Sequence, residues 1–287
     1  MRVLVTGAGG QVGTELVRVC AAAGDEVAAA DRRTVDVGDR DAVLGTVLST
    51  APDVVVHCGA WTAVDACESD PERAWRDNAL ACRWVAEACR RAGAHLVHLS
   101  TDYVFSGEQE RPYVEWDEVG PRSVYGRSKL AGEVEIRAGL PGATIVRTSW
   151  VNGAGGPNVT RMVLAALAAD PDVELRFVDD QRGCPTFTSD LAPALRQVAA
   201  ARIPGTFHVT NSGPTTWFAF VESVLVAAGR DPGQVRPIAT SDLDPPRPAA
   251  RPANSVLDGA AWRLAGFDPL PHWSEPLERL VKELSIS

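Results

Sequence analysis

The chain has 287 residues, of which 45% are hydrophobic, 23% charged and 6% aromatic, a profile that supplies a large globular core. Its formal net charge of -9 argues against nucleic acid as a partner, because gripping a phosphate backbone takes a clustered excess of Lys and Arg. No apolar run reaches the roughly 18 to 20 residues that cross a bilayer, so no membrane partner is expected either.

Residues 1–6 run straight into a glycine turn without the long apolar stretch of a signal peptide, which makes a cytoplasmic protein the expectation. Short β-type runs at 3–5, 26–30, 54–56, 95–99 and 144–146 alternate with stretches such as 15–23 and 74–90, whose apolar residues recur three and four apart. That alternation predicts an α/β fold on a doubly wound parallel sheet of Rossmann type. After Trp150 the order becomes a glycine-rich loop (152–157), a helix (160–169), a strand (173–178), a loop (179–188), a helix (190–200), a strand (206–210) and a helix (217–228). The proline-rich segment 244–252 has to be a loop, since proline lacks a backbone donor and fixes its own φ. Cys20, Cys58, Cys67, Cys82, Cys89 and Cys184 form no C-x-x-C pair and read as reduced packing thiols. His57, His95, His98, His208 and His272 show no metal-ligand spacing on one element and read as structural.

The first run feeds Gly7-Ala8-Gly9-Gly10-Gln11-Val12-Gly13. Gly7 permits a tight turn, Gly10 lets the backbone approach a pyrophosphate, and Gly13 lets the following helix sit against the sheet. The helix N-terminus then offers free N–H groups to phosphates. Residues 1–150 therefore read as a dinucleotide-binding domain, rejoined by elements within roughly 173–215, and 151–287 as mainly a substrate-binding lobe. Asp31, closing the second run, suits the ribose hydroxyls of NADH, whereas Arg32 and Arg33 beside it suit the 2′-phosphate of NADPH. Both cofactors stay open.

Tyr125 and Lys129 lie four residues apart and share one face of a helix. A free phenol titrates near pH ~10, and an adjacent ammonium is expected to lower that by Coulomb attraction until Tyr125 serves as a general acid. Thr101, at the carboxyl end of the fourth run, is placed to hydrogen-bond a substrate carbonyl, because open α/β sheets bind ligands at that edge.

Further segments join these in order: Ala60-Trp61-Thr62-Ala63-Val64-Asp65, Ser100-Thr101-Asp102-Tyr103-Val104-Phe105, Ser128-Lys129-Leu130-Ala131-Gly132-Glu133, Arg147-Thr148-Ser149-Trp150-Val151, residues 180–186, and Arg251-Pro252 with Asn254-Ser255. With the glycine turn and Val124-Tyr125-Gly126, they make nearly the whole chain resemble the dTDP-4-dehydrorhamnose reductase family of extended short-chain dehydrogenase/reductases. The resemblance implies an enzyme that reduces the 4-keto group of a dTDP-linked 4-keto-6-deoxyhexose, dTDP-4-dehydro-L-rhamnose being the first choice, with NADPH or NADH as hydride source. It implies chemistry by Thr101, Tyr125 and Lys129. The cofactor-binding set becomes Gly7, Gly10, Gln11, Val12, Asp31, Arg32, Asp36, Val37, Ala60, Trp61, Thr62, Leu99, Tyr125 and Lys129. The sugar nucleotide is assigned to Thr62, Val64, Thr101, Asp102, Tyr103, Tyr125, Trp150 and Arg251.

Some positions depart from the family pattern. His57-Cys58-Gly59 stands where Asn-Ala-Ala is usual, and Ser106 and Ser123 also differ. Glu15 and Glu283 match two of three glutamates that bridge dimers through Mg²⁺ in some members, but Ser189 takes the third place, so no metal is expected and the chain is a monomer or a homodimer. Trp150 offers a ring to a hexose or is a core residue at the lobe junction, and Trp61 divides between cofactor contact and core. Arg247 and Arg251 either hold the diphosphate or are exposed loop residues, and Asn78 resembles the Asn that positions the active-site lysine in short-chain reductases. Two other roles remain open: a 4-ketoreductase or dihydrostreptose-type synthase of antibiotic deoxysugars, and a non-catalytic, cofactor-binding regulatory subunit.

Overall fold

The computed structural model describes residues 1–286. Its core is a six-stranded, all-parallel sheet of β1 (Arg2–Thr6), β2 (Glu26–Ala30), β3 (Val54–His57), β4 (His95–Thr101), β5 (Thr144–Thr148) and β6 (Gly205–His208). The spatial order is β6-β5-β4-β3-β1-β2. From β1 the chain passes to β2 on one side and then returns to β3 on the other, so the loops after β1 and β3 diverge and open a crevice at the carboxyl edge.

The central strands read as uninterrupted apolar runs because both of their faces are buried. Val3, Val5, Val54 and Val56 pack on one side against Leu16 of α1 (Gln11–Ala22) and Leu191 and Leu195 of α6 (Thr188–Ala201). Leu4, Val55, Leu96 and Ile145, the alternate residues, pack on the other against α2 (Arg40–Thr50), α3 (Ala81–Ala92) and α4 (Val124–Gly139). A separate cluster joins α5 (Val159–Ala169), α7 (Trp217–Ala227) and α8 (Ser274–Ile286) through Val163, Phe220, Trp273 and Leu277.

Chain return to the main sheet begins at Thr188 with α6 and β6. Leu175–Val178, within the stretch expected to rejoin it from about 173, pairs instead with Val235–Ile238 in the second lobe. The helical pattern over 74–90 is divided into Pro71–Trp75, a π-helical turn at Arg76–Leu80, and α3. The wider turn carries Asp77 and Asn78 inward. The loop at 179–188 contains two short strands, Arg182–Gly183 and Thr186–Phe187, which pair with Thr215–Thr216 and Val151–Asn152. Among the described residues no helix is long and apolar enough to cross a membrane.

Glu133 fastens α4 to the sheet. It is fully buried and accepts from Ser100 Oγ at 2.6 Å, from Arg147 Nε and Nη2 at 2.9 and 2.7 Å, and from Arg137 Nη2 at 2.7 Å. Burial favours the neutral acid, but the Arg147 pair and the other donors prevail and hold the carboxyl below its ordinary 4.5. A lowered folded value means that its stabilisation is complete above that ordinary value and is lost as pH falls through the folded one. Glu133→Ala, which strands the Arg147 charge, is expected to lower unfolding free energy by about 3–5 kcal/mol at pH 7. Urea titrations check this, and the gap to wild type should narrow below pH 4.5.

Candidate active site

The glycine turn after β1 has the tightness its sequence suggests. Gly7 adopts φ +70°, and Gly10 N donates to Gly7 O at 2.9 Å. A Cβ on Gly13 would overlap the Gly7 carbonyl, and one on Gly7 would come within 2.6 Å of Gly59 N on the loop after β3. No side chain caps the start of α1, so its first N–H groups remain available.

Two connected cavities, of about 570 and 420 Å³, share Gly7, Gly10, Cys58 and Ala60. The first brings together Gly7, Gly10, Asp31, Arg32, Asp36, Val37 and Ala60, and adds Arg33, Arg73 and Arg76. The second brings together Gln11, Val12, Thr62, Val64, Leu99, Thr101, Asp102, Tyr103, Tyr125, Lys129 and Trp150, and adds Trp217. The first cavity fits a dinucleotide: a turn too close for side chains, an uncapped helix start and a rim of arginines, of which Arg33 pairs with Asp31 and Arg73 and Arg76 share Asp77, leaving Arg32 exposed beside them. At its rim the Asp31 carboxylate accepts from Arg33 Nη2 at 2.9 Å, and this guanidinium holds it below the ordinary carboxylate range.

Tyr125 and Lys129 emerge from the first turns of α4, whose start is capped by Ser123 Oγ accepting from Gly126 N at 3.1 Å. Both are buried. Lys129 Nζ donates to Leu99 O at 2.8 Å and lies 3.4 Å from His98 Nε2. Burial lowers the Lys129 pKa, with Cys82, Glu133 and Cys58 pulling the other way. Burial pushes the Tyr125 phenol well up, a hydrogen bond with Thr101 opposes it, and Asp102 and Tyr103 add to the rise. The expected acidification of Tyr125 by Lys129 is thus outweighed: the phenol sits in a dry pocket, and the ammonium is directed at the Leu99 carbonyl.

Thr101 donates to Asp102 Oδ1 at 2.9 Å and accepts from Tyr103 N at 3.3 Å. Asp102 Oδ2 is buried with no hydrogen-bond partner among the described residues. Burial raises the Asp102 carboxyl to about 6, and the hydroxyls of Ser255 and Thr101 offset it only partly. Tyr103 meets Tyr125 edge to face, with centroids 5.5 Å apart.

Four of the singled-out residues make contacts that the sequence does not suggest. Trp150 has φ +45° and stacks on Trp217 with centroids 3.6 Å apart and planes at 7°, so one face of its ring is covered while the residue lines the second cavity. Trp61 does not wall either cavity: its ring lies under Arg73, with the guanidinium 4.3 Å from the centroid. Asn78 holds the Trp61 backbone on both sides, N to Oδ1 at 2.8 Å and Nδ2 to O at 3.1 Å, and donates to Ser128 Oγ at 3.0 Å, which ties that loop to the residue beside Lys129. Arg251, expected on the diphosphate, forms a bidentate pair with Asp65 that ties the proline-rich loop to the cleft wall, while Arg247 is exposed. Arg73, Arg76 and Trp217 escaped the sequence analysis because each stands alone in its helix, outside any motif.

A protein-family model for the RmlD substrate binding domain matches residues 1–286. The chain belongs to that family. It is 47% identical over 283 residues to a dTDP-4-dehydrorhamnose reductase of Streptomyces griseus, covering 96% of this chain and 91% of that protein. A probable dTDP-4,6-dihydroxy-2-methyloxan-3-one 4-ketoreductase of Streptomyces antibioticus is 42% identical over 288 residues, covering 99% and 96%. The crystal structure of a Bacillus anthracis dTDP-4-dehydrorhamnose reductase in complex with NADP superposes with a TM-score of 0.93 at 34% identity, covering 98% of this chain and 99% of that one.

In this RmlD-family site the one carboxyl poised to titrate near neutrality is testable directly. The ¹³C resonance of the Asp102 carboxyl should titrate with a midpoint of about 6, and Asp102→Asn should remove that transition from the spectrum.

Proposed function

We propose that this chain is an NADPH-dependent oxidoreductase that reduces the 4-keto group of a dTDP-linked 4-keto-6-deoxyhexose, with dTDP-4-dehydro-L-rhamnose as its first substrate and dTDP-L-rhamnose as product. One observation carries the reading: Thr101, Tyr125 and Lys129 share one cavity that opens directly into a glycine-turn dinucleotide cradle. The reductases of Streptomyces griseus and Bacillus anthracis support the substrate class, and the latter supports NADP as cofactor. Asp31 would repel a 2′-phosphate if free, but Arg33 neutralises it and Arg32 stands exposed beside it, which favours NADPH over NADH.

When bound, the reduced nicotinamide supplies a hydride to the C4 carbonyl carbon. Tyr125, kept protonated by its buried setting, gives its hydroxyl proton to the carbonyl oxygen, so that hydride and proton together complete the alcohol. The phenolate left behind would be stabilised by the Lys129 ammonium in the same cavity, and by the Thr101 hydroxyl if its proton turns from Asp102 Oδ1 to the phenolate oxygen. Lys129, braced by Leu99 O, would offer a remaining N–H to the ribose of a bound nicotinamide cofactor. Thr62, Val64 and Tyr103 wall the sugar side, and Asp102 Oδ2 offers an unshared acceptor to it.

The Streptomyces antibioticus relative favours a second reading in the same chemistry, a 4-ketoreductase acting on another dTDP-4-keto sugar. A purely regulatory role is disfavoured, because it gives no reason to bury an ammonium, a phenol and a carboxyl together beside an open cleft. NADPH oxidation with dTDP-4-keto-L-rhamnose and dTDP-4-keto-6-deoxy-D-glucose, followed by NMR of the products, separates the two sugars. Tyr125→Phe should cut kcat by about 10²–10⁴-fold while leaving NADPH affinity nearly unchanged by fluorescence titration; turnover at the wild-type rate would overturn the assignment.

A further inference from the structure

Behind the cleft floor lies a row of buried polar side chains that the reaction scheme leaves unused. Thr6 pairs with His57 across β1 and β3, and His57 pairs with His98 across β3 and β4, so the three stand side by side on one face of the sheet. Thr6 Oγ1 and His57 Nδ1 are 2.6 Å apart, and the two imidazoles stack with centroids 5.3 Å apart. At the end of the row His98 Nε2 meets Lys129 Nζ at 3.4 Å.

An ammonium has only N–H donors, so His98 Nε2 has to be the lone-pair nitrogen and its proton has to sit on Nδ1. Full burial and the neighbouring Lys129, His57 and Arg137 all disfavour the imidazolium, which keeps that lone pair available. Cys82 lies against the ring, its Sγ 3.9 Å from His98 Nδ1 and 3.8 Å from Nε2, but its thiol donates to the Asn78 carbonyl at 3.2 Å and so does not compete for the lone pair. His57, Cys82 and His98 bring three ligand atoms within 4.8 Å of one another. A divalent cation is nonetheless a poor occupant, because the Lys129 ammonium already stands against His98 and would repel it.

We propose that His98, stacked on His57, is a positioning residue for Lys129, which fixes the ammonium between an imidazole lone pair and the Leu99 carbonyl and so aims its third N–H into the cleft. Two directed acceptors leave the ammonium one free donor, and the side of the cleft is where that donor remains. Lys129 also feels Cys82 from α3, Glu133 from α4 and Cys58 from the loop after β3, and His98 feels Arg137 from α4, but among the described residues none of these is a hydrogen-bond partner of Nζ.

The inference rests on the reductase reading for its kinetic effect, not for its geometry, and the experiment separates the two. In uniformly ¹⁵N-labelled protein without substrate, His98 should appear as the neutral Nδ1–H tautomer from pH 6 to 9, and Lys129→Met should shift its Nε2 resonance. An Nε2–H tautomer, or a resonance indifferent to Lys129→Met, would overturn the proposal whatever reaction the protein catalyses. In turnover, His98→Leu removes an acceptor that favours the charged lysine, so the alkaline limb of the kcat profile should move to lower pH and kcat should fall on the order of 100-fold. His98→Gln, whose amide oxygen accepts from the ammonium, should restore most of both. Equal loss in the two variants, with equal loss of thermal stability, would mean that His98 only fills space. A wild-type protein inactive on every dTDP-4-keto sugar would sink the reductase reading and leave the tautomer result standing.

Discussion

Helix α4 delivers both reactive side chains because it lies in backbone contact with the segment after β3. A Cβ on Gly132 would overlap the Asn78 carbonyl and crowd Cys82 Sγ, so the helix reaches its position only with glycine there. One residue later Glu133 enters the interior and meets two guanidiniums and a hydroxyl. A buried carboxylate repays its desolvation only when the geometry of its donors is met, which makes a slip or rotation of the helix expensive. Lys129 one turn earlier and Tyr125 two turns earlier inherit that register.

Desolvation then sets the protonation states. The same dry environment raises the phenol of Tyr125 and the carboxyl of Asp102, and lowers Lys129 and His98, so every titratable group facing the reaction is biased toward its neutral form. In such a pocket a phenol stores a proton without leaking it, and a charge that forms during transfer finds directed donors in place of water. Pairwise attraction between Lys129 and Tyr125, which the four-residue spacing suggests, becomes important only once the phenolate exists. That distinction is invisible in a sequence, since the spacing gives proximity but not the amount of water between the groups.

The parts of the fold that depend on local pattern were legible. Buried parallel strands advertise themselves as apolar runs, and the Gly7–Gly13 turn carries its steric reasons in its composition. What escaped depends on register between distant segments. Thr6, His57 and His98 become neighbours only when β1, β3 and β4 are aligned, and 51 residues separate the first two. Arg251 read as a phosphate ligand because Asp65, 186 residues away, was not seen to claim it. The π turn at Arg76–Leu80 leaves almost the same apolar spacing as an α-helix, yet it is what swings Asn78 toward Trp61 and Ser128.

The two lobes share apolar packing, with Trp262 and Phe267 in the core cluster of the main sheet and Leu257 against Phe105, and at the cleft rim they are joined by polar contacts. Gln11, the first residue of α1, donates to Pro157 O at 3.0 Å and accepts from Asn158 Nδ2 at 2.9 Å, while Asn158 Oδ1 caps the start of α5 by accepting from Arg161 N. The cofactor turn and the second lobe's first helix are therefore registered to each other through one amide side chain. Across the cleft, Asp65 takes Arg251 and the amide of Ala249. Between these ties the chain crosses from β5 into the second lobe at Trp150, whose left-handed backbone costs about 1–3 kcal/mol for a side chain of this kind. The stack on Trp217 and the room left by Gly183, where a Cβ would overlap the indole, are what hold it there. The stacked pair lines the sugar end of the cleft at the point where the chain leaves β5 for the second lobe. The shape seen by a hexose is thus set where the lobes meet, and the site needs both of them although the reacting groups all come from the first.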